Sequence, residues 1–169
     1  MASISASTSI DVPAPVERVL AAVADYARVR PQILPDQYRD YQVVEGGEGE
    51  GTVVTWDFQA NPSLVHPVRA AVSVDRNVIR EVDEDSALVI TWSVAPAGAD
   101  TTVTLTVGWN PDSVIGGVFD RALAPMGLKK LQATVLSNLR RLLLPGDKTE
   151  KTDPDQGGQT DADRGETAD

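Results

Sequence analysis

The chain has 169 residues and a formal net charge of −10, and it contains no cysteine. This length fits one domain, and the lack of cysteine excludes disulfides, thiolate metal sites and cysteine nucleophiles. Lysine and arginine form no basic stripe along the sequence, so binding to a phosphate backbone would oppose the protein's own charge. We therefore expect no nucleic-acid partner.

The sequence also lacks the patterns that direct or anchor a protein in a membrane. Residues 1–9 contain neither a positively charged leader nor an apolar run. No stretch approaches the roughly 18 consecutive apolar residues of a membrane span. We expect a cytoplasmic protein without stable membrane insertion.

The first third of the chain predicts one strand and two short helical segments. Apolar or small residues alternate with serines over residues 3–11, which is the period of a half-buried strand. Pro15 suits the first turn of a following helix. The buried face of this helix is predicted to consist of Val16, Val19, Leu20 and Val23. Residues 26–36 contain two prolines and predict a second short helix or an irregular plug.

The middle of the chain predicts a series of strands joined by short turns. The strand-like runs are residues 38–45, 52–60, 64–75, 78–83, 87–94 and 101–109. Short connections between consecutive strands favour an antiparallel meander over a parallel sheet. The glycine-rich loop at residues 46–51 lacks the lysine of a phosphate-binding loop, and we expect a flexible hairpin tip there.

The last ordered element is predicted to be a long amphipathic helix at residues 126–144. Its apolar stripe is predicted to be Leu128, Leu131, Val135, Leu139 and Leu142. At 1.5 Å per residue the helix is about 28 Å long, enough to cross a sheet. Pro125 predicts a break between this helix and the segment before it. Residues 146–169 are acidic and lack large apolar residues, so we expect a disordered tail after a domain at residues 1–145.

Three segments carry a resemblance to a known family. They are residues 10–19 (IDVPAPVERV), the plug ending in Leu34 and Pro35, and the approach to the last helix at Gly116 and Gly117. With the predicted order of elements, the chain resembles bacterial members of the START-like superfamily, in the polyketide cyclase/dehydrase branch also called SRPBCC.

The resemblance covers about residues 3–144 and implies a fold as well as a type of ligand. The implied fold is the α+β helix-grip fold of Bet v 1, in which a curved antiparallel sheet of about seven strands wraps around the long terminal helix. Such proteins hold lipids, polyketides or other hydrophobic molecules in a cavity between sheet and helix. One departure is Ile33, which occupies a plug position where relatives often carry tryptophan.

The strand alternation and the helix stripe predict which side chains face that cavity. All three tryptophans fall on inward positions. The predicted ligand-binding residues are Trp56, Phe58, His66, Val72, Arg80, Trp92, Leu105, Trp109, Leu128, Leu131 and Val135. The alternative is that the apolar members of this set interdigitate as a solid core without a cavity.

Two polar members of the set have their own alternatives. His66 is the only histidine, so it has no companion for a metal site or a triad, and a structural hydrogen bond at the cavity mouth is the alternative. Arg80 shares its strand face with Val78 and Val82 and could bind a ligand oxygen, or could be solvated at the sheet edge. The opposite face of this strand would bury Glu81 and Asp83, which is the less attractive choice.

No catalytic constellation, metal site or cofactor motif is predicted. We expect a monomer that binds or carries a hydrophobic small molecule, lipid or polyketide-like, without catalysis. One alternative is a polyketide cyclase or dehydratase acting in the same cavity, with Arg80, His66 or a tyrosine polarising a carbonyl. Another is a protein-interaction or chaperone-like module.

Overall fold

The computed structural model describes residues 4–110, 112–118 and 124–144 of the chain. The strands are β1 Ile4–Val12, β2 Tyr38–Glu45, β3 Val53–Asn61, β4 Leu64–Asp75, β5 Val78–Asp83, β6 Leu88–Ala97 and β7 Asp100–Trp109. The helices are α1 Val16–Ala24, α2 Arg30–Ile33, α3 Val114–Val118 and α4 Ala124–Leu143. The predicted acidic tail and the segment 119–123 before the predicted break lie outside the described residues.

The seven strands form one antiparallel sheet in the order β1-β7-β6-β5-β4-β3-β2. Strands β2 to β7 follow the chain as a meander, because each connection is short. The first strand closes on the last, with Ile4 opposite Trp109 and Val12 opposite Thr101. The helices α1 and α2 lie between β1 and β2, and α4 follows the sheet. The predicted α+β fold, with a curved sheet and a long C-terminal helix, is confirmed.

The glycine-rich loop between β2 and β3 is attached to the helices instead of forming a free tip. The backbone N–H of Tyr26 donates to the carbonyl of Gly47 at 3.0 Å, and Gly49 donates to the carbonyl of Ala24 at 2.9 Å. Gly46, Gly47, Gly49 and Gly51 all have positive φ, a conformation that favours glycine. The prediction of a flexible hairpin tip is therefore wrong, and the glycines serve a fixed turn against the end of α1.

The helix α4 buries a stripe that differs at one end from the predicted one. The buried side chains are Leu128, Leu131, Gln132, Val135, Leu136, Leu139 and Leu143. The prediction that Leu142 faces the sheet is wrong, because Leu142 is 39% exposed while Leu143 is 6% exposed. Residues three and four positions after Leu139 could both share its face of the helix. Here the residue four positions later, Leu143, faces the core, and Leu142 does not.

A buried glutamine fixes the middle of α4 to two neighbouring strands. The Gln132 side-chain amide donates to the carbonyls of Ala6 at 2.8 Å and Leu105 at 3.3 Å. Its oxygen accepts a hydrogen bond of 2.9 Å from the Thr8 hydroxyl. Since β1 and β7 are adjacent, one side chain connects both strands to the helix. These directional bonds set the position of α4 over the β1 side of the sheet.

Candidate functional site

The space between the sheet and the helices is nearly filled by side chains. Small cavities lie in this space, among them one of about 10 Å³ and one of about 20 Å³, each close to the size of one water molecule. Both are lined by Tyr38, Trp56, Ile90 and Val107. We call the shared lining formed by these four residues, together with the two cavities that it borders, the interior seam.

The two ends of the interior seam differ in polarity. The cavity of about 10 Å³, called the apolar cavity, is lined in addition by Phe58, Val68, Leu88, Ile115 and Leu128. The cavity of about 20 Å³, called the polar-ended cavity, is lined in addition by Arg30, Leu34, Tyr41, Glu81, Trp92, Leu105 and Val135. Aromatic rings contact one another along the seam, with the Tyr38 ring centre 5.9 Å from that of Trp56. An amphipathic molecule would find different surroundings at its two ends.

Most of the predicted apolar site residues lie along this seam. Phe58 and Leu128 line the apolar cavity, and Trp56 lines both cavities. Three further predicted residues line only the polar-ended cavity: Trp92, Leu105 and Val135. The remaining apolar members of the predicted set are buried but line neither cavity; they are Val72, Trp109 and Leu131.

The single histidine lines neither cavity of the interior seam. His66 is half-buried and lines an open groove of about 430 Å³ next to the β5–β6 turn. The charged side chains that surround the groove include Asp57, Arg69 and Asp85. Trp56 borders this groove as well as the seam, but His66 itself meets no polar group of the seam.

The predicted inward orientation of Arg80 is wrong. Arg80 is exposed, and β5 instead buries the opposite face. The residues of that face are Ile79, Glu81 and Asp83, at 0%, 2% and 3% exposure. Both acids have partners that make burial possible: Asp83 accepts hydrogen bonds from the Ser86 hydroxyl at 2.8 Å and from the backbone N–H of Asp85 at 3.0 Å.

Glu81 is held by three donors, two from the plug and one from β6. Its Oε1 accepts from Arg30 Nη1 at 2.5 Å, from the Tyr26 hydroxyl at 2.8 Å and from the Trp92 indole at 3.0 Å. The Arg30 guanidinium lies between two rings, 4.2 Å from the centre of Tyr26 and 4.7 Å from that of Trp92. The Arg30 Nη2 also donates to the carbonyl of Val23 at 3.1 Å. This ion pair connects the plug to the middle of the sheet.

The protonation states of this network follow from burial and charge. Burial opposes the charge of Arg30, but the Glu81 carboxylate and the neighbouring tyrosines together outweigh that effect and raise the pKa of the guanidinium above its ordinary value. Burial, and then the neighbouring Glu81, raises the pKa of the Tyr26 hydroxyl. The same two causes raise the pKa of Tyr38, while burial is the main cause of the raised pKa of Tyr41. At neutral pH the tyrosines are therefore hydrogen-bond donors.

The sequence interpretation missed Arg30 and Glu81 because they pair over a distance of 51 residues. A local signal did exist, since Ile79 is the largest apolar side chain in β5 and shares a face with Glu81. A buried carboxylate requires a cation nearby, and Arg30 within the plug is one of the cations that could supply it.

No helix within residues 4–110, 112–118 and 124–144 is long and apolar enough to cross a membrane. Among the same residues, no group of three or more His, Asp or Glu side chains could hold a metal ion.

Residues 3–144 match the protein family described as polyketide cyclase / dehydrase and lipid transport. The chain belongs to this family. The matched range runs from the start of β1 to the end of α4, so the polyketide cyclase/dehydrase family accounts for every described helix and strand. No curated protein matches the chain.

Solved structures support the same assignment for the polyketide cyclase/dehydrase fold. The chain is 43% identical to the KanY protein, whose NMR structure superposes with a TM-score of 0.77 over 85% of this chain and 99% of that one. A protein of Thermus thermophilus is 21% identical, with a TM-score of 0.66 over 83% of this chain and 97% of that one. The ZhuI aromatase/cyclase from Streptomyces sp. R1128 is 16% identical, with a TM-score of 0.58 over 83% of this chain and 96% of that one. The last two likenesses concern the fold alone.

Proposed function

We propose that this protein binds and carries an elongated hydrophobic small molecule, lipid or polyketide-like, along the interior seam. The observation that carries the proposal is that two separate cavities share the same four lining residues, Tyr38, Trp56, Ile90 and Val107. Apolar and aromatic side chains with a few polar groups at one end are the usual lining of a small-molecule site. The family description includes lipid transport, which agrees with such a role.

Pockets that hold drug-sized ligands have volumes of roughly 300 to 1,000 Å³, far above those of the two cavities, so a ligand can enter the seam only if the protein opens. The short helix α3 is the element best suited to move. Its local bonds are made to the preceding turn: Gly116 N–H donates to the Ser113 hydroxyl at 3.1 Å, and that hydroxyl donates to the Asn110 carbonyl at 2.6 Å. Ile115 of α3 lines the apolar cavity, so displacing α3 would enlarge that end.

The central part of α4 is not expected to move with α3. Gln132 holds it to β1 and β7 by three hydrogen bonds, and Asn138 donates to the carbonyl of Ile33 at 3.1 Å. Breaking these bonds would leave buried polar groups without partners, at a cost of about 1–3 kcal/mol each. We therefore assign the opening to α3 and the first turns of α4.

A polyketide cyclase or dehydratase acting in the same seam is the second candidate. The side chains predicted for that reaction are Arg80, His66 or a tyrosine; His66 and Arg80 do not converge on the seam, whereas Tyr38 and Tyr41 line the polar-ended cavity. A different set, Arg30 and Glu81, does reach the polar-ended cavity. Because Glu81 already accepts three hydrogen bonds, this pair is better suited to holding structure than to moving protons. Binding therefore ranks ahead of catalysis.

The proposed function predicts that the chain binds a neutral apolar dye, and that bulk added inside the seam blocks it. Titration with Nile red should give saturable fluorescence, because the dye would leave water for an apolar site. Val107→Phe places a ring between the two cavities and should weaken binding at least about tenfold. Native mass spectrometry of the purified chain should in addition detect a bound apolar molecule.

Val89→Phe is the matched control for this prediction. Val89 lies on β6 next to Ile90, but its side chain is on the opposite face of the sheet. The affinity of the Val89→Phe variant for Nile red should stay within about twofold of the wild-type value. Thermal unfolding would confirm that Val89→Phe and Val107→Phe are both folded. Absence of saturable binding to the wild-type chain, or equal loss in both variants, would contradict the proposal.

A further inference from the structure

The polar-ended cavity has two donors without a partner among the described residues. Arg30 lines this cavity and is 4% exposed, and its Nε–H has no hydrogen-bond partner there although Nη1 and Nη2 are both engaged. Tyr38 lines the same cavity, and its side chain makes ring contacts but no hydrogen bond within the part of the chain that the structure describes. A buried donor without a partner costs free energy, and a ligand oxygen would satisfy Arg30 Nε. Tyr38 is only partly buried, and its hydroxyl can donate to the same ligand oxygen.

The neighbouring tyrosine differs in this respect. Tyr41 also lines the cavity, but its hydroxyl donates to the carbonyl of Tyr26 at 2.8 Å. Burial and Glu81 keep the Tyr38 hydroxyl protonated by raising its pKa, so Tyr38 can donate to a ligand at any pH near neutral. The two available donors are thus Arg30 Nε from α2 and the Tyr38 hydroxyl from β2.

The charge at this end of the cavity decides which kind of oxygen fits. The positive charge of Arg30 is already matched by Glu81, at 2.5 Å between Nη1 and Oε1. A carboxylate entering the cavity would therefore lose its hydration and also face the negative charge of Glu81. An uncharged oxygen loses far less on leaving water and can still accept hydrogen bonds from both donors.

We propose that the polar-ended cavity recognises one uncharged oxygen acceptor, a carbonyl, on an otherwise apolar molecule, and that it rejects the carboxylate of the same skeleton. Arg30 Nε–H and the Tyr38 hydroxyl donate to this carbonyl, and the rest of the molecule extends along the interior seam toward Phe58 and Leu128. This inference rests on the proposed function and adds the chemical class of the ligand. The favoured class is a neutral hydrophobic ketone, ester or lactone, in place of a free fatty acid.

Three ligands of the same skeleton test the inference: 2-acetylnaphthalene, 2-ethylnaphthalene and 2-naphthoate, each competed against Nile red at about pH 8, where the naphthoate is ionised. Two hydrogen bonds should make the ketone bind about tenfold more tightly than the hydrocarbon. The naphthoate should bind at least about tenfold more weakly than the ketone. Equal or tighter binding of the naphthoate would overturn the inference while leaving the proposed function intact. Failure of all three ligands to displace bound Nile red would overturn the inference alone, whereas absence of saturable Nile red binding would overturn the proposed function as well.

Tyr38→Phe removes one donor and keeps the ring. The preference for the ketone over the hydrocarbon should fall from about tenfold to about twofold or threefold, with affinity for the hydrocarbon little changed. Tyr26→Phe is the matched control, because the Tyr26 hydroxyl donates to Glu81 and Tyr26 does not line the cavity. It should lower stability but keep the preference. An unchanged preference in Tyr38→Phe, or an equal loss in Tyr26→Phe, would contradict the assignment of the donor.

Arg30→Lys tests the second donor without removing the positive charge. Lysine can still pair with Glu81, but it lacks the Nε–H of arginine that faces the cavity. The preference for the ketone over the hydrocarbon should therefore decrease by a factor of about five. If Arg30→Lys fails to fold, the Tyr38 series still decides the outcome, because it leaves the ion pair untouched.

Discussion

Glu81→Ala is expected to lower the free energy of unfolding by roughly 3–5 kcal/mol, a large fraction of the stability of a domain of this size. The substitution leaves the Arg30 guanidinium buried without a counter-charge, and it removes the acceptor of the Tyr26 hydroxyl and the Trp92 indole. Urea unfolding near neutral pH, followed by circular dichroism, measures the change. We expect partial or complete unfolding in the absence of denaturant.

The loss should be specific to the unpaired charge. A double variant with Arg30→Met and Glu81→Gln removes both charges and retains an acceptor for Tyr26 and Trp92, so it should recover much of the lost stability. Arg80→Ala is the control on the same strand, and because Arg80 is exposed the change should be within about 0.5 kcal/mol. A double variant as unstable as Glu81→Ala would show that the ion pair is not the cause.

The second large effect is alkaline unfolding. The chain has three tyrosines, Tyr26, Tyr38 and Tyr41, and the pKa of each is raised above its ordinary value of about 10, mainly by burial. Above about pH 10 the unfolded chain releases these protons while the folded chain keeps them. Stability is therefore fully present below about pH 10 and is lost as the pH rises further, by up to about 1.4 kcal/mol per pH unit for the fully buried Tyr26 and by less for the partly buried Tyr38 and Tyr41.

The ultraviolet absorbance of tyrosinate measures this effect directly. Because every tyrosine belongs to the same region, the signal should stay flat past about pH 10 and then rise cooperatively, together with the loss of circular dichroism. Tyr26→Phe should reduce the dependence of the unfolding free energy on pH by about one proton. Gradual titration of all three tyrosines near their ordinary pKa, with the fold intact, would contradict the arrangement described for them.

Strand alternation predicted the inward residues where one face is plainly apolar. In β3 the alternation of Val54, Trp56 and Phe58 with polar residues leaves one choice, and all three are buried. In β5 both faces carry charge, and the choice depends on Arg30, which lies on α2 far away in sequence. Local pattern cannot reveal such a pairing, and for this reason the prediction that Arg80 faces inward is wrong.

The size of the ligand site could not be predicted for a different reason. Alternation tells which side chains point inward but not how their volumes fill the space between sheet and helix. Tyr38 and Trp56 pack with their ring centres 5.9 Å apart and help close the seam. The burial of Gln132 could not be predicted either. Its hydrogen bonds go to carbonyls of β1 and β7, which only the folded sheet brings together.

The most direct test of the central claim uses the indole N–H signals of the three tryptophans in NMR spectra recorded with and without 2-acetylnaphthalene. Trp56 lines both cavities and Trp92 lines the polar-ended cavity, whereas Trp109 is comparably buried but lines neither. A ligand in the seam should shift the signals of Trp56 and Trp92 and leave that of Trp109 nearly unchanged. Shifts confined to surface residues, with all three indole signals constant at saturating ligand, would contradict the claim that the seam is the binding site.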